Sequence, residues 1–96
     1  MKTIINNDNK QGRVEAFEGD IALGKLEYEI ENGKLRILHT YTFKGNEGKG
    51  VGKALVEAAI AEARKQQMRV EPVCSFAKVY FDRHPDLQHL VANSLE

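Results

Sequence analysis

The sequence predicts an α+β domain built on one mixed sheet. Three observations carry that prediction. Alternating residues are punctuated by Asn32-Gly33, a glycine cluster opens a long amphipathic segment, and a short strand with a second helical stretch follows. Ninety-six residues make one domain with a single modest core. With 42% hydrophobic and 29% charged residues the chain is globular rather than disordered.

After a polar, Asn-rich start, residues 13–18 read as a short strand closed by Gly19-Asp20. Residues 25–31 alternate strictly, the period of a strand with one wet face. Asn32-Gly33 then gives the strongest short-range hairpin signal. The partner strand, 34–42, places Leu35, Ile37, His39 and Tyr41 on one face and Arg36, Leu38, Thr40 and Thr42 on the other. On a helical wheel from Val51, the positions Val51, Gly52, Leu55, Val56, Ala59, Ile60 and Ala63 cover a continuous half-cylinder, with Lys53, Glu57, Arg64 and Lys65 opposite. That is a helix lying on a sheet, ending near Gln67. A strand over 69–74 and a helix over 75–83 complete the chain, and Pro85 stops the helix because the residue before a proline avoids helical dihedrals. The order is β-β-β-α-β-α, and the strand–helix–strand crossover makes its two strands parallel. Pro72 has no N–H for a ladder. It marks either an edge strand or a point where two strands part and leave backbone groups facing a cleft.

Several function classes lose support here. Lys+Arg and Asp+Glu both number 14, so net charge points to no nucleic-acid or acidic partner. No stretch approaches the ~20 apolar residues of a membrane span, and the first residues lack a signal-peptide hydrophobic region. A cytoplasmic protein without membrane attachment is expected, a monomer or weak dimer. One cysteine rules out an internal disulfide and a cysteine-based zinc cage. His39, His84 and His89 lack a compact ligand spacing, so no metal is expected. The final Leu95-Glu96 reads as a vector-derived scar and is given no weight.

Three of the eight glycines, Gly48, Gly50 and Gly52, fall within five residues directly before the long helix. Such a cluster is either a tight connection or a place where a ligand comes close to the backbone. The first N–H groups of a helix have no intrahelical partner, the macrodipole adds positive potential, and Lys49 and Lys53 add charge. The Gly-Lys-Ser/Thr ending of a nucleotide P-loop is missing, as is a second strand–helix unit of a dinucleotide fold.

Gly50-x-Gly52 opening a helix after a β-meander, with a short strand and second helix behind, resembles the GNAT superfamily of acyl-CoA N-acetyltransferases over roughly residues 13–91. The family signature is Gln/Arg-x-x-Gly-x-Gly/Ala, and here Glu47 stands in the first place. A small GNAT-like subgroup with "H-T", "P-x-C" and "Y-x-x-R-H-P" is the nearest likeness, matched by His39-Thr40, Pro72-Val73-Cys74 and Tyr80-Phe81-Asp82-Arg83-His84-Pro85. The early helices that shape the acceptor site in larger GNAT enzymes are missing.

The resemblance implies acetyl-CoA as cosubstrate and an amine as acceptor. Amides of Gly48, Lys49, Gly50, Val51, Gly52 and Lys53 would hold the pyrophosphate, and backbone groups of Tyr41, Thr42 and Phe43 the pantetheine. Cys74 would sit at the thioester, as a nucleophile or merely lining the site; without the resemblance it reads as a small buried residue. Tyr80 would protonate the departing thiolate or simply pack, and Phe81 competes for that slot. His39 is either a hydrogen-bonded core histidine or a base and thiol partner. Arg83 and His84 either touch phosphate or cap the helix C-terminus. A CoA-binding module or sensor without catalysis, and an unrelated anion-binding domain, remain the alternatives.

Overall fold

The computed structural model describes residues 1–92; Leu95-Glu96 lies outside them. Five strands form one sheet in sequence order: β1 (Lys2–Asn7), β2 (Gln11–Glu18), β3 (Ile21–Glu31), β4 (Lys34–Thr42) and β5 (Arg69–Pro72). All neighbours are antiparallel except β4 and β5, which are parallel and joined by the helix α1 (Val51–Lys65). A second helix, α2 (Ser75–Asp82), and a 3-10 helix over Pro85–Leu90 follow. The α+β class and the mixed sheet match the sequence reading, with one strand more than expected.

That strand is β1. Only Ile5 is even half-buried, so no apolar face announces it. It is held by its pairing with β2 and by an Asx turn, in which Asp8 Oδ1 accepts the N–H groups of Lys10 (2.7 Å) and Gln11 (3.0 Å). These two bonds hold the Asp8 carboxyl below its ordinary pKa. The β3–β4 hairpin forms where Asn32-Gly33 places it, both residues having positive φ (53° and 74°) as a type I′ turn requires.

The seven residues of the α1 stripe are all buried, against β2, β3 and β4. They join Val14, Leu26, Tyr28, Leu35, Ile37, Val70, Ala77 and Phe81 in the core. Tyr28 is buried, and its hydroxyl accepts from Asn7 Nδ2 at 2.8 Å, which ties β1 to the core.

Strand β4 departs from its expected pattern. The β3–β4 register runs Tyr28↔Ile37 and then Glu27↔His39, so Leu38 is an extra residue in a β-bulge. Leu35 and Ile37 are buried as expected. Beyond the bulge Thr40 and Thr42 take over the core face, opposite Leu26 and Gly24, while His39 and Tyr41 turn to the face of Glu27 and Lys25. His39 is exposed rather than a core histidine, and its ring stacks on Tyr41 with centroids 5.7 Å apart.

Gly24 lets the end of β4 and the start of α1 come together. A Cβ there would lie 2.4 Å from the Tyr41 carbonyl oxygen and 2.8 Å from Val51 Cγ1. The first obstacle is backbone and cannot swing away. Gly24→Ala is expected to cost about 1–3 kcal/mol, which for a domain of this size lowers Tm by roughly 4–8 °C per kcal/mol. Thermal unfolding followed by circular dichroism checks it.

Candidate functional site

The loop between β4 and α1 is braced from within. The Phe43 carbonyl accepts Asn46 N–H (3.1 Å) and Asn46 Nδ2 (3.2 Å). The Glu47 carboxylate accepts Gly45 N–H through both oxygens, at 2.8 and 3.0 Å. Glu47, which stands where the family signature has Gln or Arg, is thus used to shape the loop. Gly48 and Gly50 have φ of 79° and 77°, a left-handed conformation that side chains resist. Gly50 is the N-cap of α1, without a side-chain cap and with no acidic residue in the first turn. The first intrahelical bond is Ala54 N–H to Gly50 O at 3.0 Å, so the N–H groups of Val51, Gly52 and Lys53 have no helical acceptor. Lys49 Nζ donates to Asn46 Oδ1 at 3.3 Å, and Lys53 is exposed.

Beside this helix end, the parallel strands part. The β4–β5 register ends at Ile37↔Pro72, whereas β4 runs on to Thr42. The N–H groups of Val73 and Cys74 both donate to the Ile37 carbonyl, at 3.0 and 3.1 Å, and the chain then turns into α2. Both readings of Pro72 hold: β5 is an edge strand of the sheet, and it parts from β4 at Pro72. Below the gap the strands are pinned by charge: Arg36 pairs with Glu29 and, at 3.4 Å, with Glu71, which also pairs with Lys34 at 3.7 Å.

Phe43 N–H donates to the Leu23 carbonyl at 2.9 Å. Backbone groups alternate in direction along a strand, so those of Tyr41 also face β3, while those of Thr40 and Thr42 face the gap. Of the three residues expected to offer backbone to the gap, Thr42 does so and Tyr41 and Phe43 do not. Thr40 joins it.

Cys74, half-buried, is the N-cap residue of α2, yet its side chain makes no capping bond. Its Sγ lies 3.4 Å from Thr40 Oγ1, so the two side chains bridge the parted strands. Tyr80 packs between α1 and α2 and donates its hydroxyl to Glu57 Oε2 at 3.4 Å. Burial, and then the Glu57 carboxylate, push its pKa above the ordinary value, so it stays protonated at neutral pH. Phe81, its competitor, is fully in the core. His84 stacks on Tyr80 at 4.1 Å, and its Nδ1 lies 2.6 Å from the Tyr80 carbonyl. A carbonyl only accepts, so Nδ1 carries a proton. Arg83 is the C-cap residue of α2.

Cys74, His39 and Tyr80 therefore do not form one hydrogen-bonded set. Cys74 meets Thr40, His39 stacks on Tyr41 on the opposite face of the sheet, and Tyr80 meets Glu57. Sequence reasoning passed over Thr40, although it stood in the "H-T" pair, and Glu57, which looks like any solvent-facing helix residue. Among the described residues no His, Cys, Asp or Glu side chains gather in a set that could hold a metal, and no helix is long and apolar enough to cross a membrane.

The profile of a family described as GCN5-related N-acetyl-transferase matches residues 13–90. The chain belongs to that family. The solution NMR structure of a GCN5-like candidate N-acetyltransferase from Staphylococcus aureus is similar at a TM-score of 0.66 and 26% identity, over 94% of this chain and 88% of that one. The crystal structure of a candidate GNAT-family acetyltransferase from Desulfovibrio desulfuricans is similar at a TM-score of 0.64 and 17% identity. That likeness concerns the fold; it covers 77% of this chain, which spans about half of the other protein (54%). No curated protein matches the sequence.

Proposed function

We propose that this protein is an acetyl-CoA-dependent N-acetyltransferase that carries acetyl from coenzyme A to a primary amine. The observation that supports this most is the adjacency of three features: an uncapped helix N-terminus, a gap between parallel strands, and a thiol at the end of the gap. The free amides of Val51, Gly52 and Lys53 suit the pyrophosphate, with Gly48, Lys49 and Gly50 around them. The gap-facing backbone of Thr40 and Thr42 suits the amide groups of pantetheine, with Tyr41 and Phe43 at its mouth.

In this reading Cys74 Sγ attacks the thioester carbonyl. The Sγ–C bond forms, the bond from carbonyl carbon to CoA sulfur breaks, and the thiol proton leaves with the CoA thiolate. The amine nitrogen then attacks the Cys74 thioester. An N–C bond forms, the C–Sγ bond breaks, and one amine proton returns to Sγ. An amine arriving over the uncovered face of the sheet finds His39 there as a base. Tyr80, bonded to Glu57, belongs to the alternative of direct transfer from acetyl-CoA to the amine, in which it would leave Glu57 to act as the acid.

A second reading is a CoA-binding module or sensor without turnover. It is favoured by the Cys74 surroundings, where the partner is a hydroxyl and not a base. Titration calorimetry with acetyl-CoA, CoA and ATP, followed by mass spectrometry and an amine panel, tests both. Binding of CoA species over ATP with transfer to an amine supports the enzyme. Binding without transfer leaves the module, and no binding removes both.

A further inference from the structure

The two edges of the sheet are finished differently. Strand β5 has four residues, ends at Pro72 and is bridged by the returning chain. Val91 sits beside Val70 there, and the Ala92 N–H donates to the Val70 carbonyl at 2.8 Å. Natural sheets protect an edge with proline, a bulge, a central charge or a cover, because an open edge invites a further strand. At β1 none of these is present among the described residues. The strand has no proline, its register with β2 runs without a bulge, and residues 3–7 carry no charge.

The register shows which backbone groups are open. Asp8 N–H donates to the Gln11 carbonyl at 2.9 Å, so Asn6, Ile4 and Lys2 also direct their backbone at β2. Thr3, Ile5 and Asn7 direct theirs outward, where no described residue meets them. One end of this row is held in place, because Asn7 bonds the Tyr28 hydroxyl and Asp8 closes the Asx turn. The row therefore needs little reordering to accept a partner. Opposite charges stand at its two ends. Lys2 forms no ion pair among the described residues, and Asp8 spends only Oδ1 on the turn. Asp8 also lines a trough of about 490 Å³ together with Asn6, Arg13 and Glu27, which share the sheet face of Lys2 and Ile4.

We propose that β1 pairs antiparallel with β1 of a second copy, about a twofold axis at Ile5, so that one sheet continues through both chains. This centre alone uses every open group of the row: Thr3 faces Asn7 of the second copy, and Ile5 faces its own counterpart. About six backbone hydrogen bonds result. The same centre sets Lys2 opposite Asp8 of the second copy, twice by symmetry, with the lysine reaching the trough beside that carboxylate. A slip of two residues either way loses both charge pairs and part of the ladder. Ile4, 39% exposed in the single chain, comes to lie against Asn6 of the second copy. The gap between β4 and β5 is at the other edge of each sheet, so the pairing is independent of the CoA reading.

Sedimentation equilibrium of the full protein is expected to show a reversible monomer–dimer equilibrium that weakens with added salt. Thr3→Pro removes an outward N–H and no bond within the chain, so it should weaken the dimer by about tenfold or more. Lys2→Glu sets two carboxylates against each other, so it should weaken the dimer and reverse its salt dependence. Both residues are exposed, and circular dichroism confirms that the variants are folded. Register is read by crosslinking with oxidised glutathione in a Cys74→Ala background. Ile5→Cys should give a disulfide-linked dimer, because directly opposed Cα atoms lie about 5.5 Å apart. Thr3→Cys should give none, because its counterpart would lie about 13 Å away along the seam. A protein that stays monomeric up to its solubility limit overturns the proposal, as does a dimer that Thr3→Pro leaves unchanged. A dimer crosslinked through Thr3→Cys and not through Ile5→Cys overturns the register.

Discussion

Replacing Cys74 with alanine is expected to abolish the single-acetyl adduct that wild type forms on incubation with acetyl-CoA, with CoA affinity unchanged within about twofold. The pyrophosphate and pantetheine contacts proposed for CoA come from backbone groups, which the substitution does not touch. The side chain removed is small, and the Thr40 hydroxyl it leaves faces a gap that water can enter. The thiol lies at the N-terminal end of α2, with the Thr40 hydroxyl 3.4 Å from its sulfur. Intact-mass spectrometry is expected to show one acetyl on wild type and none on Cys74→Ala. His39→Ala divides the reaction differently. Its ring is on the uncovered face, so the adduct should still form, while transfer to an amine slows by about 10²–10⁴. A Cys74→Ala protein that acetylates an amine at the wild-type rate would sink covalent transfer and leave the direct route, with Tyr80 as the acid. Absence of both adduct and transfer in wild type would leave the binding module.

Local signals in the sequence were reliable wherever a segment obeyed one rule along its whole length. Asn32-Gly33 specified a turn that needs positive φ twice, and α1 buries the same seven residues that its helical wheel selects. Strand β1 was hidden because it obeys no such rule. Its stability comes from backbone pairing and an Asx turn, and only Ile5 reaches the core margin.

The bulge in β4 hid more of the site. A period of two assumes that every residue has one partner, and one extra residue reverses both the faces and the backbone direction beyond it. In retrospect Leu38 was the sign, a large apolar residue placed on the same face as Arg36, Thr40 and Thr42. Because of that reversal His39 leaves the core, Thr40 reaches Cys74, and Thr40 and Thr42 turn their backbone toward the gap. The glycines were read as a group and not one by one. Gly48 and Gly50 are there for dihedral angle, whereas Gly52 is there for the approach of Phe76, a contact between helices that no local pattern encodes.

Gly50→Val is expected to lower CoA affinity by about tenfold or more in a protein that still folds. At Gly50 two penalties must be separated. With φ at 77°, any side chain sits in the left-handed region, at a cost of about 1–2 kcal/mol, and a β-branched one fits worst. That penalty concerns stability. The second concerns the ligand: apart from the adjoining residues of the chain, nothing lies within 4 Å of the position a Cβ would take, so the new side chain enters open space next to the unpaired amides of α1. Gly33 provides a matched control. Its φ is 74°, its Cβ position is equally open, and it lies in the β3–β4 turn, outside the glycine loop. Gly33→Val should therefore reproduce the loss of thermal stability and keep wild-type CoA affinity, while Gly50→Val loses both. The comparison requires circular dichroism melts and calorimetric titration of the two variants side by side. Wild-type affinity in Gly50→Val would reduce the glycine loop to a turn, and the α1 amides would then have no claim on the pyrophosphate.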